Sequence, residues 1–280
     1  MQENIDNCEE FADNLIKKAE KYKCVDVFYD KRNKITTTKV CINGNKLSKL
    51  FNKKEGFYYS VKCGCFNYYD KTNYKSISKK VFKTLKELSM TLDIKKPFSV
   101  LVVGLGNSKV LCDSLGVKVC DKIIIPNTYD SDFLNKVFNK VYCFCPSVFA
   151  KTGIITADII LSVVKKVNPS MVILIDTLTC KNRNLLGCCF QMNNVGLKPG
   201  GFFTKSKWVD KKLLNVPVVS IGVPLVTNLS DILGENESYE YYTTKNIGEV
   251  VDAWAWVLAL GINMFLQPKL NIDDILFYMS

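Results

Sequence analysis

The feature that most constrains the fold is an alternation, from Ser99 onward, of short apolar segments with helical ones. The apolar segments are VLVVGL, KIIIP, VYCFC, MVILID and VPVVSIGVP, and TADIILSVVKKV is the clearest helix between them. Continuous apolar strands that alternate with helices are typical of a parallel sheet covered on both faces. We therefore predict a three-layer α/β fold with a mostly parallel sheet, whose core at residues 98–228 carries the site.

The first hundred residues add strands and helices to this sheet. CVDVFYD, ITTTKVCI and GFYYSVKCG predict strands, because they are rich in β-branched and aromatic residues. CEEFADNLIKKAEKY and SISKKVFKTLKELSM predict amphipathic helices, the second capped by Ser76 or Ser78. The sequence has no glycine-serine linker, repeat or low-complexity tract, so we predict one domain over residues 1–280.

Charge and histidine content exclude several function classes. The net charge of +11 comes almost wholly from lysine, since only Arg32 and Arg183 among the 38 basic residues are arginine. Arginine is the usual residue for reading bases and clamping phosphates, so we expect no direct nucleic-acid partner. The sequence has no histidine, which rules out Ser-His-Asp and Cys-His catalysis and the histidine-based zinc peptidases.

The 12 cysteines predict small buried thiols rather than a metal site. The polar segment MQENIDNCEEFADN is not a secretory signal, so we expect a cytoplasmic protein with reduced thiols. The pairs Cys63/Cys65 and Cys143/Cys145 are C-x-C, which places both sulfurs on one face of a strand. Neither pair has the C-x-x-C spacing of a zinc knuckle, so we expect no metal.

One segment, VVDAWAWVLALGINMFL, is apolar enough to raise the question of a membrane span. It contains Asp252 and Asn263 and is shorter than the roughly 20 apolar residues that a span requires. We therefore predict a buried core helix and no membrane partner.

The segment SVLVVGLGN brings a strand directly into Gly104 and Gly106, as nucleotide-binding turns also do. The dinucleotide fingerprint G-x-G-x-x-G would need a third glycine where Lys109 stands, and neither glycine begins a P-loop. A tight strand exit also needs glycine for its backbone angles. The two glycines therefore predict a strand exit, and we expect no cofactor.

Two carboxylates follow apolar strands of the predicted sheet. Asp113 lies just past SVLVVGLGN, and Asp176 ends MVILID; sites of open parallel sheets form at such strand ends. Two neighbouring carboxylates share a proton, so that one activates a water and the other polarises the scissile carbonyl. This chemistry hydrolyses peptides with neither histidine nor metal. The residues alone leave open a helix cap at Asp113 and a turn aspartate at Asp176.

A set of motifs occurs in order along most of the chain: VVGLGN, DSLGVKV, CPSVFAKTGIITADII, MVILID, NVGLKPGG, IGVPLV and YYTTKNI. In this order and spacing they resemble the bacterial spore germination protease family. ITTTKVCINGNKLSKLFNKKEGFYYSV and GINMFLQPKL are also similar to the family's N-terminal strands and final helix. The resemblance implies a fold similar to that of hydrogenase-maturation proteases. It also implies an aspartic endopeptidase that degrades small acid-soluble spore proteins as the spore germinates.

The resemblance also implies roles for particular residues. In that family the aspartates of the D-x-L-G stretch and of the V-x-x-x-I-D strand are the catalytic pair, which implies Asp113 and Asp176 here. The residues expected to shape the site are Gly104, Gly106, Asn107, Gly153 and Gly196. The loop NNVGLKPGG would form a wall of the site or a rim around the substrate. A homotetramer, made as a zymogen in the cytoplasm of the forespore and present in the spore core, is implied as well.

Some segments depart from the family's pattern. The family's propeptide carries R-T-D-L-A-x-E, of which NIDNCEE retains only Asp6 and Glu10, so we interpret residues 1–15 as a vestigial propeptide. A segment is also missing between IGVPLVTNLSDIL and YYTTKNI. These departures keep open a catalytically inactive relative that binds spore proteins or a partner subunit. A third interpretation, a metalloenzyme maturation protease, fits poorly with a chain that has no histidine.

Overall fold

The structure is a computed structural model that describes residues 21–31, 33–64, 72–95, 98–126, 137–200, 206–228 and 240–279. The candidate propeptide at residues 1–15 and nearly all of the first predicted helix lie outside the described residues, as does Cys65.

One half of the central sheet is antiparallel. Strands β1 (Val25–Asp30), β2 (Ile35–Ile42) and β3 (Gly56–Lys62) form a meander, with helix α1 (Asn45–Phe51) between β2 and β3. All three strands were predicted from their β-branched and aromatic composition, and that prediction is confirmed.

The other half of the sheet is parallel and carries the expected site. Its strands are β4 (Ser99–Gly104), β5 (Lys140–Phe144), β6 (Met171–Thr179) and β8 (Val218–Asn228). They lie in the order β8-β6-β4-β5, and each neighbouring pair is parallel. Residues on both faces of β4 and β6 are buried, which is why these strands are continuous apolar runs.

A strand that the sequence did not reveal joins the two halves. Strand β7 (Cys189–Asn193) pairs antiparallel with β3 on one side and with β8 on the other. The prediction of a long irregular excursion after MVILID is therefore wrong for these residues. A short strand, β9 (Tyr241–Tyr242), pairs with the end of β8.

Helices cover both faces of the sheet. They are α2 (Thr72–Met90), α3 (Leu115–Cys120), α4 (Phe149–Thr152), α5 (Thr156–Val167), α6 (Lys211–Leu214), α7 (Ile247–Leu266) and α8 (Ile272–Met279). Val100 and Val102 of β4 belong to the apolar core that contains α2, α3 and α7. Leu101 and Val103 belong to the core on the opposite face, with α5 and α6. The predicted three-layer α/β class is confirmed.

Helix α7 is a core helix. Among the described residues it is the one helix long and apolar enough to cross a membrane, and 72% of its most apolar window is buried inside the protein. Trp254 is fully buried and donates from Nε1 to the carbonyl oxygen of Gly187 at 2.9 Å. Ser78 Oγ donates to the carbonyl oxygen of Val257 at 3.0 Å, which ties α2 to α7. Because α2 begins at Thr72, the prediction that Ser76 or Ser78 caps it is wrong.

The prediction that KIIIP forms a strand is also wrong. Ile123 and Ile124 are buried in the core beneath α7 but belong to no strand. The amide of Ile124 donates to Asn263 Oδ1 at 3.0 Å, and Asn263 Nδ2 donates to the carbonyl oxygen of Lys122 at 2.9 Å. A side-chain amide on α7 therefore satisfies backbone groups that a neighbouring strand would otherwise pair.

Candidate active site

The exit of β4 lies beside Asp176. Gly104, the last residue of β4, pairs with Ile175 of β6, and the amide of Leu105 donates to the carbonyl oxygen of Ile175 at 2.8 Å. Asp176 is the next residue on β6 and pairs with Gly222 of β8. Because Asp176 lies within a strand, the alternative of a turn aspartate is wrong.

The two glycines of the strand exit permit the chain to pack against itself. Gly106 has a φ of +106°, and a Cβ there would lie 2.0 Å from the carbonyl oxygen of Asp113. A Cβ on Gly104 would lie 2.3 Å from the carbonyl oxygen of Gly116 in α3. Only glycine fits either position, since the obstructing atoms are backbone. The glycine pattern thus has a packing explanation that requires no phosphate.

Asp113 ends the 3₁₀ helix Leu111–Asp113. Helix α3 begins at Leu115 with Ser114 at its N-cap, so the alternative that Asp113 caps this helix is wrong. Burial raises the pKa of the Asp113 carboxyl from 3.8 to about 6, although a hydrogen bond from the Asn107 backbone opposes the shift. An aspartate with this pKa retains its proton in part of the population at mildly acidic pH, as a proton donor must.

Thr177 links the two aspartates and was not singled out from the sequence. Its amide donates to Asp176 Oδ1 at 2.9 Å, and its hydroxyl donates to the carbonyl oxygen of Cys112 at 2.8 Å. Its position directly after Asp176 was the one signal that the sequence offered.

A cavity of about 320 Å³ lies against both carboxylates, since Asp113 and Asp176 are both among its lining residues. Much of its wall is apolar, contributed by Leu105, Val110, Val148, Phe149, Ile155 and Val226. Its volume is within the usual range for ligand pockets, and convergent polar groups in an apolar pocket are typical of a binding site.

The loop predicted as a site wall contributes Lys198, Pro199 and Gly200 to this cavity. Lys207 also lines it and forms an ion pair with Asp158 at 3.0 Å. The sequence did not single out either lysine, because lysines are too frequent in this chain for one to stand out.

The expected site-shaping residues contribute in different ways. Gly106 lines the cavity, and the Asn107 amide donates to the carbonyl oxygen of Asp113 at 2.9 Å. Gly153 ends α4 with a φ of +67°, and Gly196 packs against the carbonyl oxygen of Val209, where a Cβ would lie 2.1 Å away. Neither Gly153 nor Gly196 is among the residues that line the cavity.

Cysteines cluster on the α3 side of β5. Hydrogen bonds with Cys143 and Cys145, together with burial, raise the pKa of the Cys120 thiol above its usual range. Cys143 and Cys145 thus both contact the Cys120 thiol, as expected if their side chains lie on one face of the strand. Cys188 is disulfide-bonded, so the expectation of reduced thiols is wrong for this residue. Within the described ranges, no group of three or more His, Cys, Asp or Glu side chains is placed to hold a metal ion.

The sequence of this chain matches a known protein family over most of its length. The family model described as germination protease matches residues 3–242. The germination protease of Clostridium tetani is 29% identical over 296 residues, an alignment that covers 89% of this chain and 90% of that protein. That of Priestia megaterium is 31% identical over 233 residues and covers 81% of this chain and 63% of that protein. The protein is therefore a peptidase by class. The chain belongs to the germination protease family.

Among solved structures, a NiFe hydrogenase maturation protease from Thermococcus kodakarensis is similar to this chain. It is 14% identical with a TM-score of 0.35, and the match covers 61% of this chain and 96% of that one. The fold class rests on the sheet and helices described above.

Proposed function

We propose that the chain is an aspartate-dependent endopeptidase that cleaves small acid-soluble spore proteins during germination. The observation that carries the proposal is that Asp113 and Asp176, from different parts of the chain, line the same cavity. Membership of the germination protease family supports the substrate class.

The two aspartates have different roles in this proposal. Asp113, whose pKa burial raises to about 6, is the acid that protonates or polarises the scissile carbonyl. Asp176 is the base, which accepts a proton from the attacking water and then donates it to the leaving nitrogen as the peptide C–N bond breaks. Asp113 recovers its proton from the hydroxyl of the tetrahedral intermediate as the carboxylic acid product forms. The apolar wall excludes bulk solvent from the peptide, and the reaction requires no metal. The enzyme acts as a homotetramer in the spore core.

The test is cleavage of a purified small acid-soluble spore protein by the full chain and by a form that lacks residues 1–15. Asp113→Asn and Asp176→Asn should each abolish cleavage, because each removes a carboxyl group that the mechanism uses. Asp93→Asn is the matched control, since Asp93 is exposed and does not line the cavity. A metal chelator should leave the rate unchanged.

The outcomes separate the alternatives. Cleavage that survives either site substitution, or that the chelator abolishes, contradicts the two-aspartate mechanism. Binding of the spore protein without cleavage by any folded form supports the inactive relative, which the reduced propeptide motif at Asp6 and Glu10 favours.

A further inference from the structure

We propose that Thr177 is a positioning residue that fixes the separation of the two carboxylates, an inference that rests on the function proposed above. Its amide hydrogen bond to Asp176 Oδ1 is 2.9 Å long, and its hydroxyl bond to the carbonyl oxygen of Cys112 is 2.8 Å long. Cys112 directly precedes Asp113, so this carbonyl belongs to the peptide group that leads into Asp113. Thr177 therefore contacts the side chain of one aspartate and the backbone next to the other.

The other hydrogen bonds of the Asp113 backbone are local to its own turn. The Asp113 amide donates to the carbonyl oxygen of Val110 at 2.9 Å, and the Asp113 carbonyl accepts from the Asn107 amide at 2.9 Å. The segment from Leu105 to Asp113 is hydrogen-bonded to β6 at its first residue, where the Leu105 amide donates to the carbonyl oxygen of Ile175. The Thr177 hydroxyl bonds the end of the same turn to β6, and so holds Asp113 against the strand that carries Asp176.

Thr177 acts through geometry rather than through proton transfer. Its hydroxyl proton is already donated to a backbone carbonyl, so the hydroxyl is not placed to serve as the acid or base. In a two-carboxylate site, a water must contact one carboxylate while the scissile carbonyl contacts the other. A displacement of about 1 Å in such a constellation lowers a rate by as much as roughly a hundredfold.

The test compares Thr177→Val, Thr177→Ala and Thr177→Ser on the full chain, with kcat and KM measured on a small acid-soluble spore protein. Val and Ala remove the hydroxyl, and each should lower kcat by about tenfold or more while KM stays within about twofold. Ser retains the hydroxyl and should restore kcat. Thr36→Val on β2 is the matched control, since Thr36 is half-buried and does not line the cavity.

Two kinetic results would overturn the positioning role. One is a wild-type kcat in the Val or Ala variant, and the other is a Ser variant impaired as much as the Val variant. If the Val variant does not fold, Ala alone decides the question, because it removes the same hydroxyl without adding bulk.

Amide hydrogen exchange gives a readout that does not depend on activity. The amides of Asp113 and Ser114 donate within the 3₁₀ turn, to Val110 and Leu111 respectively. Their exchange should be faster in the Val and Ala variants and unchanged in the Ser variant; unchanged exchange in all three overturns the proposal. If neither the full wild-type chain nor the form that lacks residues 1–15 cleaves the spore protein, the proposed function fails, whereas the exchange experiment still decides whether Thr177 holds the turn.

Discussion

The parallel and antiparallel halves of the sheet differ in how completely they are buried. In β4 and β6 the apolar side chains on both faces are almost wholly buried, whereas Val27, Phe28 and Tyr29 of β1 are 51%, 58% and 59% exposed. The candidate site lies at the carboxyl edge of the parallel half. A two-carboxylate site needs fixed distances, and a strand packed on both faces has the least freedom to shift.

The largest expected effect is a difference in stability between the halves when one branched aliphatic side chain in each is replaced by alanine. Ile173 of β6 is 0% exposed, so Ile173→Ala should lower the free energy of unfolding by about 2–5 kcal/mol. Val27→Ala on β1 should change it by no more than about 1 kcal/mol. Urea denaturation of both variants measures the difference. Equal losses would mean that the two halves are equally constrained.

The next effect concerns the contact between the end of β4 and α3. Gly104→Ala would force a Cβ to within 2.3 Å of the Gly116 carbonyl oxygen, so we expect a loss of about 1–3 kcal/mol and reduced activity. Gly248→Ala is the control, because the added Cβ has no neighbour within 4 Å and the position is in helix α7. Thermal denaturation should show no loss of stability for the control.

A smaller effect should distinguish the site from the rest of the parallel half as pH changes. The folded-state pKa of Asp113 is about 6, above its ordinary value of 3.8, so the folded chain binds this proton more tightly than the unfolded chain. Stability from this group is therefore fully present below about pH 4 and is lost as pH rises through about 6.

The expected loss from this titration is about 2 kcal/mol, and Asp113→Asn should remove it. Unfolding of both proteins by urea between pH 4 and pH 7 tests the prediction. A stability difference between them that is independent of pH would contradict the raised pKa. Because the proposed acid must be protonated, the cleavage rate should also fall above about pH 6.

The smallest expected effect on stability comes from breaking an ion pair that connects the antiparallel half of the sheet to the parallel half. Lys54, which precedes β3, forms an ion pair with Asp210 at 2.6 Å and lies 3.7 Å from the centre of the Trp208 ring. Burial raises the pKa of Asp210, but the hydrogen bond and charge of Lys54, together with hydrogen bonds from the Leu213 and Lys212 backbone, lower it by more, so the net shift is downward. Lys54→Ala should cost about 0.5–1 kcal/mol. A double-mutant cycle with Asp210→Ala measures the coupling, and a coupling of zero would show that the pair contributes nothing.

The sequence was sufficient to predict the parallel half and the position of the two aspartates. Runs such as MVILID are buried on both faces, and neighbouring parallel strands bring their ends to one edge, so Asp113 and Asp176 could be grouped from the sequence alone. The placement of Gly104 and Gly106 at a strand exit followed from the same pattern.

The errors arose where distant parts of the chain decide local structure. Strand β7 has only five residues, CFQMN, of mixed polar and apolar character, and it exists because β3 and β8 pair with its two edges. KIIIP has the composition of a strand, but the Asn263 side chain of α7 takes up its backbone groups. Thr177 could not be assigned to the site because its role depends on the distant Cys112 carbonyl that its hydroxyl reaches. Lys198 belongs to the loop predicted as a wall, but nothing in a lysine-rich sequence distinguished it from the other residues of that loop.

The pairing of α2 with α7 also determines the order in which the chain can fold during synthesis. Val81, Leu85 and Leu88 of α2 are 0% exposed in the folded protein, in the same core as α7. The ribosome synthesises α2 before the parallel strands and α7 last of the three. The apolar face of α2 therefore has no α7 to pack against while the parallel half is being synthesised. A nascent chain that stops before α7 therefore exposes this apolar face of α2, and transiently exposed surface of this kind favours aggregation unless a chaperone covers it.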